Sequence, residues 1–301
     1  MKSTLHPFQT DDAKLRPIHE KVLAGQALDV ADVSVLFTSA DILAIGWLSN
    51  YIRERLHGNR TRAITSEINQ ANATHFAVTG DLNRVLLKVE EIRSSHPEAQ
   101  IAAGVLEELV GKPRSFATLK AAGADALLGD DVTLFVAGVR RAVWNTTSNF
   151  QQRFEARHAA MDAGLQVPLY LVQRPGSMEQ QAAELLHFRD EPAESFVAIS
   201  YPADSSASLN LTATTGMREM KQIAIARLAL PKVKHIRVFW QMLGGKLAQI
   251  ALRFGASEID GTSLDVGVNP QQRGRELARE VEAAGQDPHE APAKRLAIVE
   301  A

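Results

Sequence analysis

Apolar positions in the first sixty residues recur at intervals of three and four, the period of helices packed by one face. Asp29 is placed to cap a short helix that runs through Phe37. Ser39 is placed to cap the next, in which Ile42, Leu43, Ile45, Gly46, Ile52 and Leu56 repeat up to a stop at Gly58. After Arg60 the period changes, and short apolar runs alternate with amphipathic helical stretches. Strands are predicted at Thr74–Thr79, Gln100–Ala103, Asp125–Leu128, Val167–Val172, Phe196–Ile199 and His235–Trp240. Helices are predicted at Leu82–Arg93, Ser115–Ala122, Val132–Val143, Ser148–Ala163, Met178–Phe188, Thr215–Leu230 and Gly245–Phe254. From Pro270 onward the chain holds one charged helix, Arg273–Ala284, a proline-interrupted stretch and a short apolar end, Leu296–Val299.

About six βα units in succession predict an α/β protein with a parallel sheet and helices outside it. No Gly-x-Gly-x-x-Gly follows the first strand, which lowers a dinucleotide-binding reading. The favoured fold is an incomplete TIM-like (β/α) barrel with N-terminal helices packed on it. Three segments follow: helical 1–60, barrel 61–269, and a helix with its tail at 270–301.

Composition narrows the function classes. The 301 residues carry 33 basic and 35 acidic side chains, so nothing global favours nucleic acid or an anionic membrane. No Walker loop is present and the basic residues are scattered, so no nucleic-acid partner is expected. The longest apolar stretches stop at about ten residues, short of the roughly 20 that span a bilayer. No apolar core of a signal peptide is found either, and a cytoplasmic protein with no membrane partner is expected. Cysteine is absent, which removes disulfides, thiolate nucleophiles and cysteine-ligated metal sites. The nine histidines show neither His-x-His nor His-Glu-x-x-His spacing. His75 and His235 read as satisfied strand residues, and His57 as a charge at a helix end.

In a βα barrel the chemistry sits where strands end and loops begin. Candidate ligand-binding residues there are Thr79, Gly80, Asp81, Glu107, Asp130, Asp131, Arg174 and Lys246. Asp130 and Asp131 can hold a cation or do acid–base work, but Asp131 more simply caps the helix after it. Arg174 and Lys246 can bind an anion, with Gly244-Gly245 letting a helix N-terminus approach it. A plain turn with a solvated lysine explains the same pattern. A serine-rich loop, Ser205, Ser206 and Ser208, lacks the Gly-x-Ser-x-Gly elbow of a hydrolase.

Three stretches carry a family resemblance. They are His235-Ile-Arg-Val-Phe-Trp240-Gln-Met-Leu-Gly-Gly-Lys246 and its continuation to Thr262; Lys21-Val-Leu-Ala-Gly25 with Leu36–Gly46; and Arg53-Glu-Arg-Leu-His57-Gly58-Asn-Arg60. Together they resemble aminofutalosine synthase, a radical S-adenosylmethionine family of the futalosine route to menaquinone. The resemblance adds Asp260 to the candidate residues. It also implies a Cys-x-x-x-Cys-x-x-Cys loop holding a four-iron–four-sulfur cluster, and this chain has none of it. His57-Gly58-Asn59-Arg60 leads almost directly into Ile64–Ala71, which resembles the helix that follows the cluster loop. A family Gly-Gly turn stands here as Thr79-Gly80-Asp81. Gly129-Asp130-Asp131 and Gln173–Glu179 depart from the family pattern as well. No cofactor is therefore expected: no cluster, and nothing to anchor S-adenosylmethionine. Loss of the first strand is expected to open a seam, covered by the N-terminal helices, a second copy or an active paralogue.

The leading functional expectation is a catalytically degenerate relative, a binding or regulatory subunit connected with menaquinone biosynthesis that holds a small molecule of that pathway. The alternatives are a repurposed barrel enzyme doing acid–base chemistry on a small anion, and a structural interaction protein.

Overall fold

The computed structural model describes residues 6–129, 143, 148–172, 176–199, 216–263, 269–291 and 293–301. The chain divides into two compact units. One comprises Met1–Ile64, Leu171–Gly261 and Gly274–Ala291; the other comprises Thr65–Tyr170, Thr262–Arg273 and Pro292–Ala301.

The first unit begins with α1 (Leu15–Leu23), α2 (Val30–Thr38) and α3 (Ile42–His57). Asp29 caps α2 in a reciprocal box with Asp32, each carboxylate accepting the other's backbone N–H at 2.9 and 3.0 Å. The cap of α3 is Asp41 rather than Ser39. Asp41 accepts from Ala44 N at 3.0 Å, and the Ser39 hydroxyl accepts from Asp41 N one turn earlier. A carboxylate is the better partner for the positive end of a helix, which explains the shift. The helix stops at Gly58 as expected.

Arg60–Ile64 forms a strand, β1, where the sequence reading has the first strand lost. It pairs in parallel with β9 (Glu258–Asp260) on one side and β10 (Asp287–Glu290) on the other. The expected helix from Ile64 to Ala71 is also absent, and Ser66–Ile68 is a second short strand, β2. Thr61, Ile64, Thr65 and Ile68 are β-branched and fit a pleated surface better than a helix. The sheet of this unit runs β10-β1-β9-β8-β7-β6, with β6 at Leu169–Val172, β7 at Ala193–Ile199 and β8 at Val233–Phe239. Helices α8 (Met178–Leu186), α9 (Met217–Ala229), α10 (Trp240–Ala251) and α11 (Pro270–Ala283) follow their strands.

Two buried arginines fasten the outer helices to the strand ends. Arg227 of α9 donates to the carbonyls of Gly255, Val233 and Lys234 at 3.0 to 3.2 Å. Arg53 of α3 donates to Gly58 O and Arg60 O at 3.3 and 3.1 Å. Burial lowers Arg227 to about 9 and Arg53 to about 10, so both remain charged at neutral pH.

The second unit is a parallel sheet in the order β2-β11-β3-β4-β5. Its strands beyond β2 are β3 (His75–Thr79), β4 (Gln100–Val105), β5 (Ala126–Leu128) and β11 (Lys294–Glu300). Its helices are α4 (Leu82–Ser95), α5 (Leu106–Leu109), α6 (Pro113–Ala122) and α7 (Phe150–Asp162). Phe76, Val78, Ile101, Ala103, Phe116, Leu119 and Leu127 form the core with Ala297 of β11. The short apolar end of the sequence is thus a central strand, inserted between β2 and β3 over five registered pairs from Leu296↔His75 to Glu300↔Thr79. The place beside β3 is filled by the chain itself, not left open.

Parallel strands alternating with helices confirm the α/β class, and the described residues form two open sheets with no closed barrel. The expected helix Val132–Val143 lies outside the described residues except at Val143, which is helical. Among the described residues no helix is long and apolar enough to cross a membrane.

Candidate functional site

Side chains two apart on a strand share a face, and the register of the first sheet sets three charged residues side by side, with Ser195 of β7 two residues before Val197, the partner of Arg237. Arg62 of β1 pairs in register with Glu258 of β9, which in turn pairs with Arg237 of β8. Glu258 is fully buried. It accepts from Arg237 Nε, from Arg62 Nη1 at 3.0 Å and from Ser195 Oγ at 2.7 Å. Burial by itself would raise the Glu258 carboxyl. The Arg237 guanidinium and the bonds from Arg237 and Ser195 outweigh it and hold the group below the usual carboxylate range. Toward solvent, Glu194 bridges Arg62 at 3.3 Å and Lys234 at 2.7 Å.

Two histidines lie near the start of β8. The rings of His57 and His235 stack at 4.7 Å, His57 Nε2 donates to Lys234 O at 2.8 Å, and His235 Nδ1 lies 3.1 Å from Ser257 Oγ. Burial, then the charge of Arg227 and the neighbouring His235, lowers His57 to about 4. Burial lowers His235 too. His57 does end a helix, yet it is neutral there at pH 7, because desolvation outweighs the favourable helix end. This polar assembly runs through the middle of the sheet, from Ser195 and His235 in the first half of β7 and β8 to Arg62 at the centre of β1 and Arg237 in the second half of β8.

Nearer the carboxyl ends the first unit places Asp260. It closes β9, is buried, and sits in register with Ile64 and Phe239 on the face that Glu258 shares. Lys246 is exposed on α10, beyond a break in the helix at Gly244.

In the second unit, Thr79, Gly80 and Asp81 close β3. Thr79 O accepts from Ala301 N at 2.8 Å. Gly80 has φ +133°, and a Cβ there would lie 2.5 Å from Ala301 O. Asp81 caps α4, accepting from Asn83 N at 3.0 Å. Contacts to β11 and to α4 thus account for the three residues. Glu107 follows β4 and accepts from the Tyr170 hydroxyl at 2.8 Å. Burial, the Glu107 charge and that bond hold the Tyr170 phenol well above its ordinary value, so it stays a donor. Gly129, after β5, gives the Tyr170 ring room, since a Cβ would approach it to 2.7 Å. Glu107 just past β4, Gly129 just past β5 and Tyr170 within β6 thus meet. Tyr170 was not among the expected residues; its signal was a phenol inside an otherwise apolar strand. Burial also raises the neighbouring Glu108. Asp130, Asp131, Arg174 and the serine loop lie outside the described residues.

The residues present do not fit an iron–sulfur cluster. The chain has no thiolate, and one residue, Thr65, separates β1 from β2, leaving no loop at the end of the first strand. Among the described residues no three His, Asp or Glu side chains are grouped to hold a metal ion.

No family model matches the chain. Curated relatives do. Aminodeoxyfutalosine synthase of Thermus thermophilus is 25% identical over 353 aligned positions, covering 93% of this chain and 94% of the relative. That alignment is longer than the chain's own 301 residues, so the relative carries segments that this chain lacks. A 5-amino-6-(D-ribitylamino)uracil–L-tyrosine 4-hydroxyphenyl transferase of Methanosarcina barkeri is 25% identical, covering 66% of this chain and 59% of that protein. Among solved structures, methylornithine synthase matches with a TM-score of 0.59 at 15% identity, covering 90% of this chain and 97% of the other. That likeness shows the fold, a TIM-like α/β architecture with an incomplete barrel.

Proposed function

We propose that this chain, a cysteine-free relative of aminodeoxyfutalosine synthase, is a catalytically degenerate member of that lineage. In this reading it works in the cytoplasm as a binding or regulatory subunit connected with menaquinone biosynthesis. One observation carries the reading: β1 runs into β2 through a single residue, in a chain without a thiolate. Reductive cleavage of a sulfonium needs an electron from a cluster, and no side chain here replaces that source. The outer helices and strand order support a scaffold that outlived the chemistry. Its partner is an active paralogue or a second copy, and its ligand a small molecule of the futalosine route.

Two measurements test this. Anaerobic reconstitution with iron and sulfide is expected to leave no stoichiometric cluster absorbance, and a stoichiometric cluster would overturn the reading. A thermal-shift screen with aminodeoxyfutalosine and with the family's carboxyvinyl-oxybenzoate substrate is expected to raise the midpoint. A ligand at about 100 times its Kd adds about 2.7 kcal/mol. No shift with either compound would remove the pathway link.

A second reading rests on Glu107, just past β4, and Tyr170, within β6, an acceptor and donor joined by a hydrogen bond. It is a repurposed enzyme doing acid–base chemistry on a small anionic substrate. Retention of any turnover by Tyr170→Phe would count against it.

A further inference from the structure

The geometry points to a binding cleft for an amphipathic anion among the outer helices of the first unit, with Arg218 and Lys221 holding a carboxylate or phosphate head and an apolar wall taking its body. The cleft has a volume of about 410 Å³. That falls in the range of small-molecule sites, about 300–1,000 Å³. Phe37, Ile42, Met178 and Met217 supply most of the wall. Two of these are methionines, whose flexible thioethers adapt to varied apolar shapes.

Both cations come from α9, three residues apart and therefore on neighbouring positions of one helix face. Neither forms an ion pair with a carboxylate among the described residues. Lys221 Nζ instead donates to the carbonyls of Phe37, at 3.0 Å, and Ser39. Those two bonds use two of its three donors and aim the ammonium at the junction of α2 and α3 beside the cleft. Burial lowers its proton affinity, as expected of a cation held without a counter-charge. The first turn of α9 adds backbone N–H groups to the same end, since Gly216 provides no side-chain cap.

Neither nearby carboxylate lines the cleft, although the two cavities they line adjoin it at Gln222. Glu184 lines a cavity of about 30 Å³ with Leu171 and Phe196, and Glu219 lines one of about 10 Å³ with Arg237 and Met242. Two cations without a carboxylate partner among the described residues, beside an apolar wall, fit a ligand with an anionic head and a hydrocarbon or aromatic body. A neutral apolar ligand would leave the cations unsatisfied, and a small inorganic anion would leave the wall wet. Glu107, Tyr170 and Asp260 are not among the residues that line the cleft.

Calorimetric titration of the full chain with decanoate and with decyl phosphate tests the inference, with decanol and acetate as probes lacking the head or the body. Saturable one-to-one binding of at least one of the two amphipathic anions is expected, and which one binds identifies the head group. Arg218→Gln, which removes a charge with no partner among the described residues, is expected to weaken that binding about tenfold. Met217→Glu, on an exposed first-turn position where a carboxylate suits the helix, is expected to weaken it at least as much while leaving the melting midpoint intact. Failure of both anions to bind, equal binding of decanol, or unchanged affinity in Arg218→Gln would each overturn it.

Discussion

Replacing Glu258 by Gln removes one charge from a fully buried carboxylate while keeping its shape. Glu258 has no solvent exposure, and the Arg237 side chain retains only 8%. The wild-type carboxylate accepts from two guanidiniums and one hydroxyl, so four strands, β1, β9, β8 and β7, converge on it. Gln offers one acceptor oxygen and turns an amide donor toward donors. Arg237 is then left charged in a site closed to water. Breaking a buried pair from one side costs about 3–5 kcal/mol, because the remaining charge stays desolvated. For a chain of this size a loss of that order lowers the melting midpoint by roughly 10 °C. Urea unfolding followed by far-ultraviolet circular dichroism reads the same loss as a lower midpoint with an unchanged slope. Glu194→Gln serves as the control. Glu194 also meets two cations, but its side chain is 55% exposed, and exposed pairs contribute about 1 kcal/mol or less. The double variant Glu258→Leu with Arg237→Met is expected to recover most of the stability, since an apolar pair carries no desolvation cost. A loss below 1 kcal/mol in Glu258→Gln, or one equal to that in Glu194→Gln, would refute the reasoning.

Three further outcomes are expected. The neutral His57 makes stability depend on pH. Its folded pKa of about 4 lies below the ordinary 6.5, so the unfolded chain takes up the proton first and the contribution, complete above 6.5, is lost as pH falls toward 4. Discounted for solvent screening it amounts to about 1–2 kcal/mol, and His57→Gln should flatten melting midpoints over that window; an unaltered pH slope would contradict the assignment. Gly80→Ala should cost about 1–3 kcal/mol, because φ is +133° and the new Cβ meets Ala301 O at 2.5 Å, with chemical denaturation as the check. Ala297→Asp places a carboxylate at a fully buried position of β11 and should destabilise the second unit by at least 3 kcal/mol, measured by amide exchange on β3 and β4. Unchanged protection there would mean that β11 is not part of the core.

Much of the fold was legible locally. The helix ending at Gly58, the cap at Asp29 and the alternation from His75 to Phe239 follow from period, capping chemistry and glycine placement. The strand Arg60–Ile64 was not, because two arginines interrupt its apolar pattern. What makes Arg62 tolerable there is Glu258, 196 residues away. The strand Asp287–Glu290 carries two carboxylates and a proline and has no strand signal of its own; its pairing with β1 creates it. Among the candidate residues, Asp81 and Gly80 stand where strand-end reasoning put them, yet their contacts are a helix cap and a close approach to Ala301. Tyr170 escaped notice because its partner Glu107 is 63 residues distant.

By itself the sequence determined the βα alternation, the near-neutral charge and the absence of any thiolate, since these depend on local period and on which atoms the side chains contain. Only the tertiary structure decided that β1 survives, that the tail becomes a central strand beside β3, and that Glu258 gathers its four strands. Those outcomes depend on hydrogen-bond ladders and charges brought together from distant parts of the chain, and no local window of residues encodes them.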